Sequence, residues 1–212
     1  MRNLIKTEFY KLEKSPSVRM IFLFTCIVAM LQGFSPYPGY QVYIIALVPE
    51  LFDAVLVSVF TAAYLCAEFS NRTFGNAALS GVSRQNVFFA KLTAYFPGLL
   101  VLVLLPLAVS VCVATIRNGF CADWDAVVGD IIEKLLFYIL YRFFMASFAI
   151  FAATLIQNSI GMLGTGVAGI YLITLIKKPM EHPVTQITLL FTIIEISIFL
   201  SLATFIFAKR EL

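Results

Sequence analysis

"FFAKLTAYFPGLLVLVLLPLAVSVCVATI", residues Phe88–Ile116, decides the fold of this chain. Lys91 is its single charged residue, and the run is longer than the roughly 20 residues with which an α-helix crosses a bilayer. Pro97 and Pro106 interrupt it, which membrane helices tolerate where neighbours satisfy the freed carbonyls. Five more apolar runs surround it: Val18–Phe34, Gln41–Ala67 (with a kink expected near Pro49), Asp130–Ile156, Ile160–Ile176 and Gln186–Ala208. The chain is 61% hydrophobic and 13% charged, with a mean hydropathy of +0.94. Soluble domains carry roughly 25% charged residues. No polar face is left to wet these helices, so a soluble core is excluded. The expectation is an all-α integral membrane protein with six transmembrane helices in one domain, residues 18–212, joined mostly by short connections. No soluble domain, low-complexity segment or internal repeat is apparent.

The preceding residues, 1–17, read "MRNLIKTEFYKLEKSPS". Leu4, Ile5, Phe9 and Leu12 recur at helical spacing, with Arg2, Lys6, Glu8, Lys11, Glu13 and Lys14 on the other positions. That pattern suits a helix lying in the membrane interface; a solvated cytoplasmic tail is the alternative. Pro16 cannot continue a helical ladder, so a break is expected at Ser15-Pro16-Ser17.

Charge sets the orientation. With the N-terminus inside, Arg2, Lys6, Lys11, Lys14, Arg19, Arg72, Arg84, Lys91, Lys209 and Arg210 fall on the cytoplasmic side. Only Arg117, Lys134, Lys177 and Lys178 fall at or near the outer face, together with Asp123, Asp125, Asp130, Glu133 and Glu181. The positive-inside rule then places both termini in the cytoplasm.

The same orientation puts "CAEFSNRTFGNAALSGVSRQNVFFAKL", Cys66–Leu92, inside, between the second and third spans. Asn71 or Thr73 can cap a short helix running from Phe74 to Leu79. Gly81 can end it, and Ser83 can cap the next one. Arg84 and Lys91 are expected at phosphate level where the chain re-enters the bilayer. A short helix held below the membrane by two spans is suited to receive a push from a cytoplasmic partner; a plain solvated loop is equally compatible with the chemistry.

This segment resembles the second-to-third-span loop of ABC-2 type permeases, the membrane subunits of ATP-binding cassette exporters. In that family an acidic residue ends the second helix, a coupling helix follows, and a G-x-S-R…K run leads into the third. The matching positions here are Glu68, Thr73, Gly81, Ser83, Arg84 and Lys91. "MRNLIKTEFYKLEKSPSVR" is similar to the family's amphipathic elbow helix and "FAKREL" to its usual ending. The chain further resembles the small permeases of Gram-positive bacteria that pair with peptide-antibiotic resistance or lantibiotic-immunity ATPases. The outer loops, "RNGFCADWDAVVGD" and "KKPMEHPVTQ", are shorter than in many relatives, so any outer vestibule would be small. The resemblance implies a multi-pass bacterial plasma-membrane protein that pairs with two cytoplasmic ATPase subunits and a second permease. It also implies that Glu68, Arg72, Thr73, Phe74, Leu79, Gly81, Ser83 and Arg84 couple it to the ATPase.

What the chain lacks narrows its chemistry. There is no Walker A motif to cradle ATP phosphates, so ATP and Mg would be bound by the partner and no cofactor by this chain. The single histidine, His182, sits in an outer loop and provides neither a catalytic triad nor a metal site. No catalytic residue, metal site or nucleic-acid surface is expected. Cys26, Cys66, Cys112 and Cys121 form no ligand pattern and read as free thiols, a Cys112–Cys121 bridge being the alternative.

Four charges fall inside spans: Glu50 and Asp53, three apart and on one helix face, Arg142 in the fourth span and Glu195 in the sixth. Such charges are costly in a bilayer and must pair or line a wet cavity. One reading is a polar patch on a substrate path, attracting cationic or amphipathic cargo. The other is a structural ion pair of Arg142 with Glu50, Asp53 or Glu195. In the fifth span Gly161, Thr165 and Gly169 repeat every four residues, a small-residue ridge that permits close helix approach. The combined reading is the permease of an ABC exporter of a peptide or amphipathic antimicrobial. An ATP-independent transporter using the carboxylates, or a membrane scaffold, are the rival classes.

Overall fold

The structure is a computed structural model and describes residues 2–47, 51–67, 83–120, 124–156, 158–177 and 186–209. All the regular structure among them is helical: α1 (Arg2–Lys14), α2 (Pro16–Gly33), α3 (Gly39–Leu47), α4 (Leu51–Thr61, continued by a π-helical turn, Ala62–Cys66), α5 (Arg84–Asn118), α6 (Trp124–Ile156), α7 (Ser159–Lys177) and α8 (Gln186–Lys209).

Local chemistry sets several of these ends. Ser15 takes an extended conformation and its Oγ accepts from Val18 N at 3.4 Å, while Pro16 occupies the first turn of α2, where its missing N–H costs nothing. Ser83 caps α5 in the same way, accepting from Asn86 N. At the far end of α5, Gly119 takes φ +76°, which an L side chain would resist. The residues around it fasten the turn after α2. Gly119 and Phe120 carbonyls accept from Gly39 N and Tyr40 N at 2.9 and 3.0 Å. Arg117 donates to the Phe34 carbonyl, and Asn118 to those of Ser35 and Tyr37. Pro97 and Pro106 lie within a continuous α5.

Among the described residues four helices are long and apolar enough to cross a membrane: Pro16–Gly33, Gln85–Asn118, Ile131–Ile156 and Leu190–Lys209. A fifth crossing results if α3 and α4, inclined at 63° to each other, form one broken span. The expected fifth apolar run is helical, but its described apolar stretch, Ser159–Leu172, is shorter than these. The second run, expected to tilt or kink near Pro49, is described as two helices, α3 and α4, on either side of residues 48–50. The described residues are thus all-helical, with four to five candidate spans among them.

Two long helices organise the packing. α5 carries α1, α2 and α3, whereas α6 carries α4, α7 and α8. Phe60 of α4, Tyr95, Leu99 and Leu102 of α5, and Met145 and Ile150 of α6 are fully buried. Phe88 of α5 stacks on Phe207 of α8 at 4.6 Å. The outward residues are equally greasy, with Leu23, Phe24 and Leu31 on α2 and Phe191, Ile194 and Phe205 on α8 exposed. Lipid is as apolar as these side chains, so close packing and polar contacts, not apolar burial, must hold the helices together.

Glycines locate the closest approaches. On α7 the buried face is Met162, Gly166 and Ile170. A side chain on Gly166 would meet Ser58 of α4, and one on Gly169 would lie 2.6 Å from the Phe148 ring of α6. Thr165 is exposed and its hydroxyl donates back to the Gly161 carbonyl. The expected ridge therefore gains Gly166, while Thr165 points away from the bundle.

Gly33 is the least forgiving position, because a methyl there would lie 2.8 Å from the Ser110 backbone oxygen and 2.7 Å from Val113 Cβ. Gly33→Ala should push α2 off α5 and destabilise the bundle by about 1–3 kcal/mol, as overpacking does. A lowered melting temperature in detergent is the expected result. An unchanged one means that the two helices separate freely.

Candidate functional site

Two charged constellations lie inside the bundle. The first is centred on Arg142 of α6, 2% exposed. Asp53 occupies the first turn of α4, where the helix dipole favours a negative charge, and forms a salt bridge with Arg142 Nη2. The same Nη2 donates to Tyr138 Oη at 3.0 Å, and the guanidinium lies 4.5 Å from the Tyr138 ring. Tyr138 is one turn before Arg142 on α6, so this part of the arrangement is local. The Asp53 contact is tertiary.

A cavity of about 80 Å³ opens beside the pair. Thr25, Gln32 and Ser110 contribute polar atoms to it, and Phe52, Leu102 and Leu107 form apolar wall. Of the four charges singled out in the sequence, Asp53 and Arg142 meet here. Glu195 lies on α8, half-buried, and is not among the residues lining the cavity. Glu50 lies outside the described residues, as do Glu68, Arg72, Thr73, Phe74, Leu79 and Gly81. Of the ATPase-coupling candidates, Ser83 is seen as the cap of α5 and Arg84 as its first residue.

The second constellation was not singled out in the sequence. Glu8 of α1, assigned there to the polar positions, is 2% exposed. Its Oε2 accepts from Lys91 Nζ at 3.0 Å and from Tyr64 Oη at 3.3 Å, and its Oε1 from Lys11 Nζ at 2.7 Å. Lys91, expected at phosphate level, is fully buried, and its ammonium lies 4.7 Å from the Tyr64 ring. Tyr64 belongs to the π-helical turn. Burial alone would raise the Glu8 carboxyl. The charge of Lys91, with hydrogen bonds from Lys11 and Lys91, outweighs that and holds it below the ordinary carboxylate value. The signal was present in the sequence. Glu8 is four residues from Leu4, three from Ile5 and four from Leu12, squarely within the apolar stripe, and Lys91 is a charge in an apolar run that demands a partner.

Cys26, Cys66 and Cys112 are free thiols. Among the described residues no group of three His, Cys, Asp or Glu could hold a metal ion. These arrangements bind and position; they do not supply a nucleophile with its base. A family model described as ABC-2 family transporter protein matches residues 4–175, a stretch that includes both charged constellations. The chain belongs to the ABC-2 transporter family. No curated protein and no solved structure matches it. As an ABC-2 permease it is the non-catalytic membrane subunit of an ABC transport system, multi-pass in the membrane and associated with ABC ATPase partners.

Removing one member of a buried pair strands the other. Arg142→Met or Asp53→Asn alone should cost this permease about 3–5 kcal/mol, while the double variant should cost clearly less than the two added together. Thermal unfolding of the three variants in detergent measures this, and strictly additive losses would show the pair to be energetically idle. For Glu8 the sign follows from its lowered value in the folded protein. Its contribution is complete above the unfolded carboxylate value and is lost as pH falls through the lower folded one. Acid should therefore loosen α1 in the native chain, read by proteolysis within residues 2–14. Glu8→Gln should remove that acid-dependent step.

Proposed function

We propose that this permease is half of the membrane unit of an ABC exporter, with six spans and both termini cytoplasmic. Two ATPase subunits, holding ATP and Mg, dock on the Phe74–Leu79 segment, with Glu68, Arg72, Thr73, Gly81, Ser83 and Arg84 framing it. A second permease, the same or a related chain, completes the pathway. The favoured cargo is a peptide or an amphipathic antimicrobial taken from the bilayer, by analogy with the lantibiotic-immunity permeases of Gram-positive bacteria, and the favoured location is the bacterial plasma membrane.

The observation that supports this reading is the position of Glu8. Its single carboxylate accepts from Tyr64, on the arm that leads into residues 68–82, and from Lys91, on the arm that leads out. The N-terminal helix is thereby tied to both arms. A displacement of the intervening segment by ATP-driven closure would move α1, the end of α4 and the start of α5 together, and α5 extends through the whole bundle. On this mechanism α1 lies in the interface as an elbow and acts as part of the transmission.

Phe74→Ser combined with Leu79→Ser should release the ATPase, or uncouple its hydrolysis from transport, and leave the helical bundle folded. Copurified ATPase and substrate-stimulated hydrolysis in lipid nanodiscs measure the effect. Wild-type values for both would exclude Phe74–Leu79 as the coupling element.

A further inference from the structure

Arg142, which lines the cavity, carries donors that neither the fold nor the family assignment employs. A guanidinium has five N–H donors. Nη2 faces Asp53 Oδ2 and Tyr138 Oη. Nε and Nη1, which carry the other three, are buried and have no hydrogen-bond partner among the described residues. Leaving charged donors unmet in a low-dielectric interior is costly, and such groups call for an explanation in function.

The surroundings narrow what could meet them. Thr25 and Ser110 already donate their hydroxyl protons to helix carbonyls, so they present oxygen to the cavity. Donors come from Arg142, the Gln32 amide and the Tyr138 hydroxyl, and Asp53 also lines the cavity. Phe52, Leu102 and Leu107 supply an apolar wall. A volume of about 80 Å³ holds a few waters or one small head group, and falls well short of the roughly 300 Å³ needed by a whole drug-sized molecule. The chemistry that fits is a compact acceptor attached to an apolar body.

We infer that this cavity receives the oxyanion head of an amphiphile, a carboxylate or a phosphate, with Arg142 donating to it from Nε or Nη1. Asp53, which also lines the cavity, holds the guanidinium at Nη2. An oxyanion at the unmet donors stands next to the cation and farther from Asp53, and because Coulomb energy falls with distance the attraction prevails. The residual repulsion from Asp53 keeps the site from binding irreversibly, as a transport site requires. A cationic head at those donors would stand beside the Arg142 cation and is disfavoured there. The role of the cavity as a substrate site rests on the export reading above; the binding itself does not.

The test uses the full-length permease in phosphatidylcholine nanodiscs, with tritiated oleate, 1-oleoyl lysophosphatidate, oleyl alcohol and oleylamine as probes. Oleate, lysophosphatidate or both should bind at least about tenfold more tightly than the alcohol, a difference well above measurement error. Oleylamine should bind no better than the alcohol. Preference for oleate alone identifies a carboxylate as the head, and preference for lysophosphatidate alone a phosphate. Arg142→Gln alone strands Asp53 and can fail to fold, so the deciding variant is Arg142→Gln with Asp53→Asn, which removes both charges. It should bind all four probes alike. Equal binding of the probes by the wild type, or an undiminished preference in the double variant, overturns the assignment. Oxyanion preference in a protein that supports no ATP-driven transport would instead overturn the export reading and leave the cavity assignment standing.

Discussion

A fully buried ammonium must have a counter-charge, and the end of this bundle where α1 packs on α5 is arranged around that requirement. Lys91 sits within α5 with none of its side chain exposed, and a charge so placed is strongly destabilising unless it is paired. Glu8 provides the pairing from a different helix, 83 residues away in sequence. The N-terminal helix is consequently packed against α5. Tyr64 completes the arrangement from a π-helical turn, a geometry that recurs where a side chain must be re-aimed. With Lys11 on the second carboxylate oxygen, Glu8 has charged donors on both oxygens.

The Asp53–Arg142 pair is a different kind of object. It joins α4 to α6, but three of the guanidinium donors are unmet among the described residues and a cavity adjoins them. Its neighbourhood combines polar atoms from α2 and α5 with apolar side chains, where the Glu8 cluster is closed by direct contacts. In a bilayer, polar contacts between helices contribute about 0.6 kcal/mol on average, so neither cluster need be retained for stability alone. A satisfied cluster fixes helices together. An under-satisfied one beside a cavity can change partners. The two occupy distinct parts of the same α4–α5–α6 frame, which permits the end held by Glu8 to move as a unit while the surroundings of Arg142 exchange contacts.

The sequence by itself determined the class of this protein. Apolar runs of membrane length dictate helices, because in lipid each backbone donor and acceptor must be satisfied within its own segment. Ser15-Pro16 and Ser83 set helix starts through their own side chains, and such local capping is legible in any chain. The ordered motifs from Met1 to Lys91 were likewise enough to reveal the family. Arg142 and Asp53 stood out, because a charge in a span is conspicuous on composition alone.

Tertiary structure decided the partners. Three carboxylates were available to Arg142 in the sequence, and the contact with Asp53 depends on how α4 lies across α6. The role of Glu8 was hidden because its neighbours Lys6 and Lys11 made the whole helix look solvated; only the packing of α1 on α5 distinguishes a carboxylate facing water from one facing Lys91. Gly166 was passed over for Thr165 because a four-residue spacing names a stripe without saying which stripe faces a neighbour. Helix periodicity is a one-dimensional signal, whereas pairing, burial and cavity shape depend on the positions of residues far apart in the chain, and the packed bundle alone fixes those.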